Sequence, residues 1–330
     1  MRAAVRFRLA TATIALLVST GLAWAQGDPQ VLWVAAASLA FFTHAAGMGV
    51  AVLHADIDYS RSESLRIVGS LLGLLATVGL VAFGFRDAGS MLVAIYAASA
   101  AANLLLAFSV RSDVPAVERP IDGRDFRREA VSLGIGGVIR QAYYSANPVL
   151  ARGIGGDLAG ARFAPAYRLT GFSILFSVYF GAASLPALVR LRAEDPAAYR
   201  RFARRWTALL AILGIGIGAS MYALRRPLLR ILFGEEYVDT ESVLAPMCLT
   251  AAIIYIGGFA LTRLIAAGRD RVAMAISGAG LAVNLITNFI LIPRYGAEGA
   301  AWTSVVTEST VAAGAYAALA LDPNIPSLRP

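Results

Sequence analysis

Residues Ile231 to Thr310 read ILFGEEYVDTESVLAPMCLTAAIIYIGGFALTRLIAAGRDRVAMAISGAGLAVNLITNFILIPRYGAEGAAWTSVVTEST. Three apolar runs begin inside this stretch, roughly Val243–Ala266, Val272–Ile292 and Ala301–Leu321. Each is about 20 residues long, the length an α-helix needs to cross a hydrocarbon core of roughly 30 Å. The connectors are short and chemically unlike. Gly268-Arg269-Asp270-Arg271 is a charged turn. In the other, Pro293, Gly296 and Gly299 form a hinge, because proline lacks an N–H and glycine tolerates torsions that other residues do not.

The composition extends this reading to the whole chain. Hydrophobic residues make up 58% of the 330 and charged residues 15%, against about 45–50% and about 25% in soluble domains. The excess lies in long runs, which predicts an all-α polytopic membrane protein of about ten transmembrane helices. All 29 basic residues are arginine, and the net charge is +8. In a membrane protein such charge sets orientation and favours anionic headgroups rather than nucleic acid. The single Cys248 has no partner for an internal disulfide and falls among apolar neighbours, as a packing residue does.

Taken in order, Arg2, Arg6 and Arg8 precede the apolar run Leu9–Leu22 and then Ala23-Trp24-Ala25. That pattern fits a signal peptide or a short retained helix. Further spans follow at Val31–Leu53, which carries His44, at Leu65–Phe85 and at Met91–Val110. The Arg-rich connector Arg111–Glu129 divides two lobes. After it come Ala130–Ile154, Phe163–Val189, Trp206–Leu224 and the three opening spans. The domains expected are thus an N-terminal lobe over 1–110, a cytoplasmic linker over 111–129, a six-helix lobe over 130–321 and a tail over 322–330.

With the N-terminus inside, the clusters at 2–8, 61–66, 111–128, 190–205 and 269–271 are all cytoplasmic, and they outnumber the arginines of the outer segments. The positive-inside rule therefore places both termini in the cytoplasm. Arg225, Arg226 and Arg230 cut against it locally. Two connectors, Asp195–Arg205 and Arg225–Tyr237, are amphipathic and read as interfacial helices.

The order of pieces in 231–310 resembles the C-terminal part of the lipid-linked oligosaccharide flippases, in the superfamily that also holds the MATE exporters and the lipid II flippases. The residues that carry the resemblance begin with Leu232-Phe233-Gly234, the acidic turn with Tyr237, and Ala266-Ala267-Gly268-Arg269. Asn284 and Asn288, Ile292-Pro293, and Gly296 with Gly299-Ala300-Ala301 complete them. The resemblance implies two six-helix lobes related by pseudo-symmetry and favours the retained N-terminal helix. By that comparison the N-terminal lobe is two helices short.

No enzyme constellation or P-loop is visible, and the two histidines and one cysteine are scattered, so no metal or cofactor is expected. The glycines at 214 and 218 read as a close helix contact. What remains are polar residues inside spans, which usually face a cavity or a partner. Arg140 is central in its span, beside Tyr144, Asn147 and the helix-kinking Pro148. Arg168 and Arg263 lie near span ends, where they either line the cavity or snorkel to the interface, as Arg152 does. Asn284 and Asn288 share one helix face and either bridge helices or line the cavity. Glu308 reads as an ion-pair partner for an arginine, a coupling-ion ligand or a residue in a wet crevice; His44 reads as a proton-coupling or a structural histidine.

The function expected is that of a flippase moving a polyprenyl-pyrophosphate-linked oligosaccharide across a bacterial inner membrane by alternating access. The resemblance implies a cationic cavity for the pyrophosphate, a role that falls to Arg140. The partners expected are the lipid-linked oligosaccharide, membrane lipids and polysaccharide polymerase or assembly proteins. The alternatives are a MATE-like exporter and a non-transporting scaffold.

Overall fold

The computed structural model describes residues 59–84 and 123–322, with residue 325 and scattered positions within 13–24 and 90–101. Side chains are described at 67–84, 139 and 142–322, so Arg140's side chain, His44 and most of the first, second and fourth expected spans lie outside the described residues. The chain divides into two compact units, Met1–Gly123 and Arg124–Pro330. In the first, α1 (Tyr59–Ala82) presents apolar side chains outward along its length, among them Leu71, Leu74, Leu75 and Val78, as a lipid-facing helix does.

The second unit is wholly helical over residues 124–321, apart from short turns. Helix α2 (Gly123–Ser173) has 51 residues, about 77 Å if straight, far more than one bilayer crossing. It reverses at Gly156, whose φ of 83° and ψ of 176° are open to glycine and costly for other residues. The returning half packs on the first, and the Tyr167 hydroxyl donates to the Tyr144 carbonyl at 3.1 Å. The departure from helical torsions is therefore at Gly156, not at Pro148, which sits within the regular part of the helix. After a break at Ile174 the chain continues as α3 (Leu175–Glu194), then α4 (Pro196–Ala223) and the short α5 (Arg225–Phe233). A 3₁₀ turn (Glu235–Thr240) leads into α6 (Glu241–Ala266). Helix α7 (Asp270–Leu321) has 52 residues and reverses at Gly296 (φ 55°, ψ −129°). Gly299 abuts the Leu291 backbone there, leaving no room for a Cβ. Pro293 lies just before the reversal, so the expected hinge at 293–299 coincides with a hairpin.

Helix α6 is buried on nearly every side, by α3, α4 and α7. The contacts are close because small residues line them. A Cβ at Gly214 of α4 would lie 2.6 Å from Tyr255 Cβ, and one at Gly218 would lie 2.7 Å from the Cys248 carbonyl oxygen. This is the small-residue contact that membrane helices use in place of a hydrophobic driving force.

The charges separate by end. At the end holding the Gly156 and Gly296 reversals and the 3₁₀ turn, four arginines are paired with acids, while Arg162 and Arg294 have no salt bridge among the described residues. Arg152 meets Asp157, Arg225 and Arg226 meet Glu241, and Arg230 meets Glu235. The locally discordant Arg225–Arg230 cluster is thus balanced by neighbouring acids. At the opposite end, Arg190, Arg200, Arg204, Arg205 and Arg271 have no salt bridge among the described residues, while Arg269 holds Asp322.

Helix α4 starts at that second end. The Asp195 carboxylate accepts from the N–H groups of Ala197 and Ala198 at 2.9 and 2.8 Å, with Pro196 at the first helical position. The Ala198 bond above all, helped by Ala197, Arg201 and Arg200, holds this carboxyl below its ordinary value of 3.8. A group lowered in this way stabilises the fold above its unfolded pKa, and the contribution is lost as pH falls through the folded value. Asp195→Ala should therefore lower the thermal midpoint at neutral pH, and its difference from the parent should fade below the ordinary carboxyl range. In the same assay, Gly218→Leu should cost at least about 1–3 kcal/mol through overpacking. Gly216→Leu, with nothing within 4 Å of its Cβ position, should be tolerated.

Candidate functional site: a polar-walled cavity in the second unit

A cavity of about 820 Å³ lies among α2, α3, α6 and α7. One wall is polar, and the two hairpin reversals create it by turning α2 and α7 back on themselves. Tyr143 and Asn147 stand one turn apart on the first leg of α2. Asn284 and Asn288 are one turn apart on the first leg of α7, with Ser304, Thr307 and Glu308 on its second leg. The Asn147 amide donates to Ser304 Oγ at 2.7 Å, and its Oδ1 accepts from the amides of Asn284 at 2.9 Å and Asn288 at 2.7 Å. Asn284 Nδ2 also reaches Thr307 Oγ1 at 3.1 Å, and Asn288 Nδ2 reaches Asn284 Oδ1 at 3.0 Å. All three asparagines are at most 5% exposed.

This cluster joins three helical legs and satisfies most of its own donors, as burial of polar groups away from water requires. It is neutral, and its amide donors occupy the inward-facing oxygens of Asn147 and Asn284. The arrangement therefore ties helices together and offers no ready cage for a cation. Glu308 is different. It lines the cavity at 8% exposure and has the Tyr143 side chain as its partner rather than an arginine.

Opposite and below, the cavity is lined by Ile174, Val178, Leu185, Leu261 and Ile265, interrupted by Gly181 and Gly258. Arg168 lines it from the returning leg of α2, with its side chain exposed and no salt bridge among the described residues. Tyr144 stacks on Tyr143 at 4.7 Å between ring centroids. Tyr143 stands among the polar residues beside Arg140 in the sequence, whereas Ser304 and Thr307 are not singled out by it. The signal was present as spacing: Tyr143 precedes Asn147 by four, and Ser304, Thr307 and Glu308 recur at three and four residues on one helix face.

The structure thus gathers Tyr144, Asn147, Arg168, Asn284 and Glu308 on one cavity, with Asn288 directly behind it. Arg263 is elsewhere. It is 2% exposed and does not line the cavity, so neither the cavity nor the snorkelling expectation describes it. Arg152, by contrast, reaches outward to Asp157. Among the described residues no group of His, Cys, Asp and Glu could hold a metal.

Removing Asn147 would strand the Asn284 and Asn288 amides in the interior, at about 1–3 kcal/mol for an unsatisfied buried group. Asn147→Val should lower the unfolding midpoint in detergent by that amount, whereas exposed Val149→Asn should change it little.

No family model matches the chain. A capsular polysaccharide biosynthesis protein, CapF of Staphylococcus aureus, is 30% identical over 135 residues, 41% of this chain. The match spans about a third of that relative's length, 34%. Solved structures resemble nearly the whole chain. An outward-facing multidrug resistance MATE family transporter of the MOP superfamily superposes with a TM-score of 0.75 at 13% identity, over 95% of this chain and 75% of its own. The Vibrio cholerae MATE transporter VcmN gives 0.75 at 18%, over 98% and 78%. The lipid II flippase MurJ in an inward closed conformation gives 0.70 at 11%, over 97% and 72%. The resemblance carried by residues 231–310 is therefore matched by the fold: this chain is a multi-pass membrane protein with the architecture of the MATE transporters and the lipid II flippase.

Proposed function

We propose that the chain is a flippase-type transporter that moves a polyprenyl-pyrophosphate-linked oligosaccharide across a bacterial inner membrane for the synthesis of O-antigen, capsule or exopolysaccharide. The observation that carries this reading is the cavity, apolar on one side and polar on the other, with Arg168 beside it. Such a lining suits an amphipathic substrate with an anionic head, and the capsular biosynthesis relative supports the glycan class. Transport needs no covalent step. A 1–110 lobe and a 130–321 lobe would rock about the substrate, the pyrophosphate meeting Arg168 and Arg140 while the lipid tail stays in the bilayer. Glu308, buried in the cavity wall, is the residue through which proton uptake would couple to that motion. Both termini would then be cytoplasmic.

A second reading, a MATE-like cation-coupled exporter, is favoured by Glu308 itself, because a carboxylate in a cavity also suits a small organic cation. Proteoliposomes containing the chain and a labelled pyrophosphate-linked oligosaccharide separate the two. The parent should render the label accessible to a membrane-impermeant probe on the opposite face. Arg168→Ala and Arg140→Ala should slow this about 10–100-fold, as expected for the loss of a charge-assisted contact of about 1.5–3 kcal/mol. Glu308→Gln should abolish any response to a proton gradient. Transport of an organic cation with no flipping would establish the exporter reading, and a folded chain that moves neither would establish a scaffold.

A further inference from the structure

Arg263 is a charge without a counter-charge among the described residues. It sits three residues before the end of α6, 2% exposed, and no hydrogen bond or salt bridge to its guanidinium forms among the described residues. Its Nε is buried with no partner. A guanidinium does not shed its proton, and an uncompensated buried charge is among the costliest features a membrane helix can carry.

The surroundings are rich in donors and lack an acid. Gly214 against Tyr255 and Gly218 against Cys248 fix α4 antiparallel on α6. That register brings Thr207 to within about one turn of Arg263 and Tyr199 to within about two. Among the described residues the hydroxyl of the fully buried Tyr199 has no partner, and Thr207 lies beside the Tyr316 hydroxyl. Tyr316 of α7 lies within electrostatic reach of Arg263 and beside Thr207. Of the acids at this end, Asp322 holds Arg269 and Asp195 caps α4, while Glu194 and Asp270 form no salt bridge with Arg263. The exposed Arg200, Arg204, Arg205 and Arg271 give the same end a positive rim. The cavity takes Leu261, Thr262 and Ile265 from this stretch of α6, but not Arg263, which points away from it towards α4 and α7.

We infer that Arg263, with the hydroxyls of Thr207 and Tyr199, forms a second anion site, separate from the cavity, that takes a phosphate group. The planar guanidinium fork matches two phosphate oxygens, and the basic rim draws in anionic headgroups. That phosphate comes either from an anionic phospholipid of the adjoining leaflet or from a soluble phosphate or pyrophosphate. The inference does not depend on which substrate the cavity carries.

The test is the thermal unfolding of the full chain, purified and delipidated in neutral detergent, titrated with phosphatidylglycerol, phosphatidylcholine or inorganic pyrophosphate. Phosphatidylglycerol should raise the midpoint of the parent and of the exposed-rim control Arg204→Gln, and should not raise that of Arg263→Met. Phosphatidylcholine should act weakly on all three. A shift with pyrophosphate that is likewise lost in Arg263→Met assigns the site to soluble phosphate as well, whereas a shift with phosphatidylglycerol alone assigns it to lipid. If Arg263→Met is not recovered folded, Arg263→Lys, which keeps the charge and loses the fork, should raise the half-maximal concentration about tenfold or more. The inference is overturned if the parent responds to neither anion, or if the Arg263 variants respond as the parent does.

Discussion

The second unit depends on one constraint: α6 has almost no lipid-facing side. A helix that neighbours enclose this completely must let them come close, and in a bilayer van der Waals contact has to supply what the hydrophobic effect supplies in water. Gly214 and Gly218 admit the α6 backbone to α4, and Gly257 admits α7 at Ala312. Each contact fixes a register as well as a distance. The register on α4 brings Tyr199 and Thr207 near Arg263. The one on α7 sets its second leg, with Thr307 and Glu308, against the cavity.

Around that helix, two 50-residue helices fold back on themselves at single glycines. The reversals at Gly156 and Gly296 set the two legs of each helix side by side, so residues far apart in the chain meet in the interior. Asn147, Asn284, Asn288 and Ser304 then hydrogen-bond one another, with Asn288 Oδ1 left without a partner among the described residues. The cluster is neutral, so it locks three legs together without the desolvation cost that buried charges carry. Glu308 stands at its edge, where the wall turns from structural amides to a cavity surface.

The charged ends complete the picture. Where arginines would oppose the bias of the chain, acids nearby in sequence neutralise them, as Glu241 and Glu235 do for α5. Where arginines are numerous and unpaired, the surface remains positive and suits an anionic leaflet. Arg263 belongs to neither pattern, because it is buried at the positive end and meets no acid among the described residues.

The sequence by itself determined the membrane class, the apolar runs that become the helices of the second unit, the glycine contact of α4 and the hinge around Gly296. All of these are local: run length, composition and backbone freedom are properties of neighbours along the chain. It also marked Asn147, Asn284 and Glu308, because a polar residue inside an apolar run stands out without any knowledge of its partners. Only the tertiary structure decided which of these marks share a wall. Nothing local distinguishes Arg168, which opens on the cavity, from Arg263, which is sealed between helices, since both are arginines near the end of a span. Their difference is set by the rotation and register of one packed helix against another, and those depend on contacts some 40 to 140 residues apart in the chain.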